Sequence, residues 1–222
     1  MAGHRGRCYA ARFVRSLAVP AAPKIRFDER GLVPCVIQDW ATGEVLTLAY
    51  MNAEALRRTR ETGEVHLFSR SRGEQWHKGS TSGNTQTVRA LRVDCDGDAV
   101  LALVEPYGPA CHTGERTCFH NGEAGRRAPH EALPDLERTL ADRAASRPQG
   151  SYTAALLGDP PLIGEKVREE AEEVARAALQ ESDERVAQEA ADLLYHLLVL
   201  LRSRSLALPD AAEVLDGRRA AG

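Results

Sequence analysis

The stretch from Val93 to Asn121, VDCDGDAVLALVEPYGPACHTGERTCFHN, concentrates the residues best suited to chemistry. Asp94, Asp96 and Asp98 alternate with Cys95 and Gly97, and Cys111 and Cys118 follow a turn-rich segment. On an extended strand alternate residues share a face, which predicts three carboxylates on one side and Cys95 on the other. Three thiolates are one ligand short of a closed tetrahedral zinc site. Catalytic zinc sites leave that corner to water and lower its pKa to about 7. Three carboxylates suit a hard cation such as magnesium. The expectation is two metals of different hardness in one short segment.

Other readings of the same residues stand beside this one. Cysteines in a reducing compartment are often buried, inert small hydrophobes. His112 or His120 would complete the coordination and make the site structural. The DxDxD run also resembles a calcium loop, with Glu105 at its twelfth position. Ala99 stands where that loop needs glycine, and the flanks Leu91–Val93 and Val100–Val104 have strand character rather than helical.

A second group of carboxylates lies downstream. Lys166, Glu169, Glu170 and Glu173 fall on one stripe of a predicted helix over 162–180, and Glu189, Asp192 and His196 on one stripe of the next, over 182–203. Stacked acids usually form a solvated face. Here like charges crowd one turn, which destabilises an isolated helix, and the second stripe adjoins the apolar run Leu193–Leu201. Two such stripes on adjacent helices can hold magnesium together with substrate phosphates. The apolar faces are read as Ile163, Val167, Ala171, Val174 and Ala178 on the first helix, and Val186, Ala190, Leu194, Leu197 and Leu201 on the second.

The elements around these groups change character along the chain. The chain has 222 residues, 43% of them hydrophobic, enough for one large or two small cores. A formal net charge of −3 gives no electrostatic basis for nucleic-acid binding, and no apolar run is long enough to span a bilayer. Five cysteines without paired spacing indicate a soluble protein of a reducing compartment, the cytoplasm. Residues 1–24 carry arginines and alanines but no acid, and read as a disordered extension or an early start; a plastid transit peptide is the alternative. Cys8 lies there without a role. A hairpin follows, with strands at Leu32–Ile37 and Glu44–Ala49 and with Cys35 in the core. A helix over Asn52–Glu61 is capped by Asn52 and ends before Gly63. Strands are expected at Val65–Ser69 and Thr85–Val93. Between them, SRSRGEQWHKGSTSGNTQ mixes cations with glycines and hydroxyls, a phosphate cradle or simply a polar loop. Residues 122–131 read as a linker. Leu133, Leu136 and Leu140 open a helical region, which closes with a helix begun by Asp210 and Glu213.

These pieces resemble two known families. GEVLTLAYMNAEAL, FSR, WHKGSTSGN, DCDGD and GPACHTGERTCF resemble phosphoribosyl-AMP cyclohydrolase. KVREEAEEV and EAADLLYHLLVLL resemble phosphoribosyl-ATP pyrophosphohydrolase. Together they look like the bifunctional enzymes of histidine biosynthesis. The resemblance implies an α+β chain, with a strand-rich, dimeric cyclohydrolase domain over 25–121 and an all-α domain of the MazG-like type over 132–222. It implies zinc on Cys95, Cys111 and Cys118, drawn from two subunits of a homodimer. It places magnesium on Asp94, Asp96 and Asp98, and again on Glu169, Glu170, Glu173, Glu189 and Asp192. Arg70, Trp76, Lys78, Thr81, Ser82, Asn84 and Lys166 are implied substrate contacts. Ser80 stands where the family often has an acid.

The implied chemistry has two steps. The helical domain hydrolyses phosphoribosyl-ATP to phosphoribosyl-AMP and pyrophosphate, with Glu170 or Glu173 orienting water. The strand-rich domain then uses water activated on zinc to open the purine ring between N1 and C6, with His112 as proton shuttle. Two rivals are a general nucleoside-triphosphate pyrophosphohydrolase fused to a structural zinc module, and a non-catalytic metal-binding protein.

Overall fold

The computed structural model describes residues 24–122 and 128–221. The extension, Cys8 and the middle of the linker lie outside the described residues. The chain divides into two compact units that meet between Asn121 and Gly122.

In the first unit, β1 (Leu32–Asp39) pairs antiparallel with β2 (Val45–Asn52) through the turn at Ala41–Gly43. Val33, Cys35 and Ile37 alternate inward along β1 and are fully buried. Burial pushes the Cys35 thiol up to about 12, so it is an inert core group. The side chain of Asn52 accepts from the Ala55 amide and starts α1 (Ala53–Thr62); Gly63, left-handed at φ 71°, ends it. β5 (Gln86–Val93) and β6 (Val100–Pro106) form a second antiparallel pair. β6 runs parallel to β1, giving a mixed sheet of order β2-β1-β6-β5. Val100, Ala102 and Val104 of β6 meet Leu46, Met51, Ala55, Leu56, Val65 and Leu67 in one core.

β3 (His66–Ser69) pairs with β4 (Glu74–His77) in a separate hairpin. The polar sequence of β4 gave no strand signal, and the segment was read as loop. A larger correction concerns the aspartates. Residues 94–99 are not strand but the turn between β5 and β6, with Gly97 at φ 84°. Two glycine-and-acid-rich residues in every three make a better turn than a strand.

The second unit is helical, with α2 (Ala132–Ser146), α3 (Tyr152–Leu157), α4 (Pro160–Gln180), α5 (Asp183–Ser203) and α6 (Leu208–Ala221). A 3₁₀ turn at Pro129–Glu131 precedes α2. Asp159 and Ser182 cap α4 and α5 by accepting from Leu162 and Arg185 amides. The last helix starts at Leu208, two residues before the expected Asp210, whose carboxylate reaches back to the Ala207 amide at 2.7 Å. Leu140, Leu156, Ile163, Leu198 and Val199 form the core. The apolar faces of α4 and α5 are rotated from expectation: Ala171, Ala178, Leu194 and Leu197 are exposed, whereas Glu170, Glu189 and His196 are buried. Helical period alone offers two faces, and the helices join on the one that carries the acids. Among the described residues no helix is long and apolar enough to cross a membrane.

The β3–β4 hairpin stacks His66 on His77, ring centroids 4.4 Å apart. Desolvation, then the charges of His77 and Arg58, lower the His66 pKa, against the opposing pull of Glu64. A base with a depressed folded pKa contributes stability above its unfolded pKa and loses it as pH falls. The first unit is therefore expected to melt lower at about pH 5.5 than at about pH 7.5, and His66→Phe should narrow that gap in calorimetric scans. An unchanged gap in the variant would locate the pH response elsewhere.

Candidate active sites

In the first unit, the loop after β6 folds back on itself through amide bonds from Ala110 to Arg116 and from Cys111 to Glu115. The Cys118 amide donates to Leu46 of β2 at 2.8 Å, fixing the far end of the loop. Cys111 is buried and Cys118 exposed. The Thr113 hydroxyl donates to the Cys111 sulfur at 3.1 Å and is the main cause of a lowered Cys111 pKa; the Thr113 amide, Cys118 and His120 add to it. The Thr113 hydrogen bond thus favours the thiolate form of Cys111 that a soft metal needs. His112 is exposed beside Cys111, its Nδ1 3.8 Å from Sγ. His120 turns its Nδ1 toward the Thr117 carbonyl at 2.9 Å.

Cys95 sits in the β5–β6 turn and is exposed. Among the described residues, no group of three metal-ligating side chains contains a cysteine. One chain thus brings Cys111 and Cys118 together and leaves Cys95 apart. Asp94, Asp96 and Asp98 do converge, with ligand atoms all within 4.8 Å of one another. The turn achieves this, not the strand alternation expected. The Ala99 amide holds the Asp94 pKa down, while hydrogen bonding to Asp94 and the charge of Asp96 raise that of Asp98. Arg26 pairs with Asp96 at 3.0 Å.

A cleft of about 770 Å³ joins the thiol loop to the polar segment after β4. Trp76, Lys78, Thr81, Ser82 and Asn84 line it together with Cys111 and His112. Arg72, one of the cations of the possible phosphate cradle, lines it too, as does Gln75, to which the sequence gives no signal. Arg70 is not among its lining residues; its guanidinium lies 3.7 Å over the Tyr50 ring. Gly79, at φ 88°, turns the chain so closely against Asn84 that a β-carbon there would overlap its backbone.

In the second unit, α4 and α5 bring Glu170, Glu173 and Glu189 together, again with ligand atoms within 4.8 Å. Glu170 and Glu189 are only 8% and 4% exposed. Glu169 and Asp192 stand outside this trio on exposed positions, and Glu169 takes a hydrogen bond from Lys166 at 2.6 Å. Burial raises the Glu170 pKa; His196 opposes the rise, and Asp192, Glu173 and Glu169 add to it. Arg185 pairs with Glu189, and Arg176 with Glu173 at 3.2 Å. His196 Nδ1 donates to the Asp192 carbonyl at 3.0 Å, and its Nε2 shares a hydrogen bond with the Tyr152 hydroxyl at 3.1 Å. His196 Nδ1 also lies 3.4 Å from Glu170. Tyr152, on the unpredicted α3, was missed because a six-residue helix has too short a pattern to read.

A strand-rich unit with paired thiols, followed by a helical unit with buried acids, is the plan of a two-site hydrolase. The family model for phosphoribosyl-AMP cyclohydrolase matches residues 47–120, and that for phosphoribosyl-ATP pyrophosphohydrolase matches residues 133–219. Relatives named histidine biosynthesis bifunctional protein HisIE match nearly end to end. The one from Bacillus subtilis is 52% identical over 200 residues, 89% of this chain and 96% of the relative. The one from Nostoc is 44% identical over 214 residues, 93% and 99% of the two chains. The one from Thermus thermophilus is 49% identical over 193 residues, 86% and 90%. The chain belongs to this family of bifunctional histidine-biosynthesis enzymes. It joins a phosphoribosyl-AMP cyclohydrolase to a phosphoribosyl-ATP pyrophosphohydrolase. The matches give no support to the two rival readings.

The close turn at Gly79 generates a test. Gly79→Ala forces a left-handed alanine against the Asn84 backbone and should cost about 1–3 kcal/mol of stability in chemical denaturation. A variant as stable as the parent would show that the cleft wall is slack there.

Proposed function

We propose that the cyclohydrolase site is completed between two copies of the chain, and that each reaction runs on its own metal. The observation that carries this is that, among the described residues, Cys95 does not join Cys111 and Cys118 in a group of ligand atoms within 4.8 Å. Two thiols from one copy and one from a second make the three-sulfur set that suits zinc with an open corner. Exposed Trp40, Leu48, Tyr107 and Phe119 supply apolar surface for a homodimer. The free thiols fit a reducing compartment such as the cytoplasm. The oxygen donors of Asp94, Asp96 and Asp98, and of Glu170, Glu173 and Glu189, suit magnesium. Glu169 and Asp192 would join the second set through rotation of exposed side chains.

When bound, zinc would supply the Lewis acidity that lets water lose a proton near neutral pH. Trp76, Thr81, Ser82 and Asn84 would hold phosphoribosyl-AMP in the cleft, with Trp76 offering a flat apolar face. Arg70, already ordered over Tyr50 at the end of β3, would reach the phosphate end. His112, exposed beside Cys111 at the cleft, would take the proton from water as oxygen adds to C6. It then returns a proton to N1 as the N1–C6 bond breaks.

In the helical unit, magnesium would neutralise the phosphates of phosphoribosyl-ATP between α4 and α5. Glu170 or Glu173 would orient the attacking water, and Lys166 would contact a phosphate when released from Glu169. Water displaces pyrophosphate and leaves phosphoribosyl-AMP.

Cys118→Ser should stop the ultraviolet change of ring opening and spare pyrophosphate release; Glu189→Gln should do the reverse. Loss of both activities in either folded variant would contradict two separate sites. Shared ligation makes a sharper forecast. Cys95→Ser and Cys118→Ser chains, each inactive in ring opening, should regain about a quarter of parental activity when co-expressed, because half the dimers are mixed and each has one intact site. No regain would place all three thiols in one copy.

A further inference from the structure

We propose that Lys78 is a positioning residue for the thiol pair, supplying the buried positive charge that balances Cys111 and Cys118, rather than a free phosphate ligand. Lys78 follows β4 and is only 6% exposed. Its ammonium donates to the Ala110 carbonyl at 2.6 Å, across the cleft wall and one residue before Cys111. The nitrogen also lies 5.3 Å over the Trp76 ring.

A buried ammonium needs anionic or strongly polar partners, since an unpaired buried charge is costly. Desolvation lowers the Lys78 pKa, and the groups that act against it are Cys118 and then Cys111. No carboxylate is salt-bridged to it among the described residues. The bond to the Ala110 carbonyl sets the ammonium against the loop that carries the sulfurs and ties that loop down. A divalent ion on three thiolates has one excess negative charge. A fixed cation on the Cys111 loop offsets that charge, and the tether holds the loop in place. Groups that orient metal ligands from behind commonly set metal affinity by about 10- to 100-fold.

This inference rests on the zinc reading given above, so its test begins with the parent dimer. Purified dimer is loaded with zinc and challenged with a chromogenic chelator. Cobalt loading is followed in parallel through the sulfur-to-cobalt charge-transfer band. Two variants are compared: Lys78→Met, which keeps the stem without charge or donor, and Lys78→Gln, which keeps a donor for the Ala110 carbonyl. Both should release zinc about 10- to 100-fold more readily and show a weakened or shifted cobalt band. The metal-free proteins are checked by circular dichroism and thermal melting. If Lys78→Met fails to fold, Lys78→Gln alone decides.

Parental zinc retention in a folded variant, with a raised KM for phosphoribosyl-AMP, would overturn the proposal and make Lys78 a substrate ligand. Restored retention in Lys78→Gln alone would overturn the charge role and leave only a tether. A parent dimer that binds neither zinc nor cobalt would refute the underlying metal reading itself.

Discussion

Carboxylates within 4.8 Å of one another repel, and both units hold three of them at that spacing. Two different constraints enforce it. In the helical unit, the α4–α5 seam carries Glu170 and Glu189 into the interior, where water screens them least. Arg185 and Arg176 offset part of that charge, yet burial still raises the Glu170 pKa. In the strand-rich unit the crowding is at the surface. A glycine turn folds the three aspartates together, and the pKa values of Asp94 and Asp98 move apart. Like charges held this close lower stability unless cations offset them.

Sulfur follows another logic. Cys111 and Cys118 are held by backbone bonds at both ends of one loop, while Cys95 stands on a turn of the opposite character, surrounded by acids. Within one chain, Cys95 does not join Cys111 and Cys118 in a close group of ligand atoms. Cys111 and the buried Lys78 line the same cleft, whereas the aspartate trio stands on the β5–β6 turn. The two family matches occupy separate stretches of the chain.

Features governed by a few adjacent residues were legible in the sequence. Asn52 and Ser182 cap helices as expected, Gly63 ends α1, and α5 stops at Ser203, because capping depends on local hydrogen bonds alone. The division into a strand-rich and a helical part followed from the change in hydrophobic period. What failed depended on tertiary contacts. Leu194 and Leu197 were assigned to the core and lie exposed, because the acids claim the seam. β4 is specified by its partner β3 rather than by its own polar residues. The aspartates met for the wrong reason, since Gly97 permits a turn that alternation alone does not anticipate. Glu170, Glu173 and Glu189 were found with Glu169 and Asp192 beside them, since spacing along a helix shows neighbours and not which one the partner helix covers.

Calorimetric titration of the whole, metal-stripped protein with magnesium addresses the gathered carboxylates most directly. The account predicts two saturable binding events per chain, one removed by Glu189→Gln and the other by Asp96→Asn. Absence of saturable binding, or a single event that survives both substitutions, would contradict it.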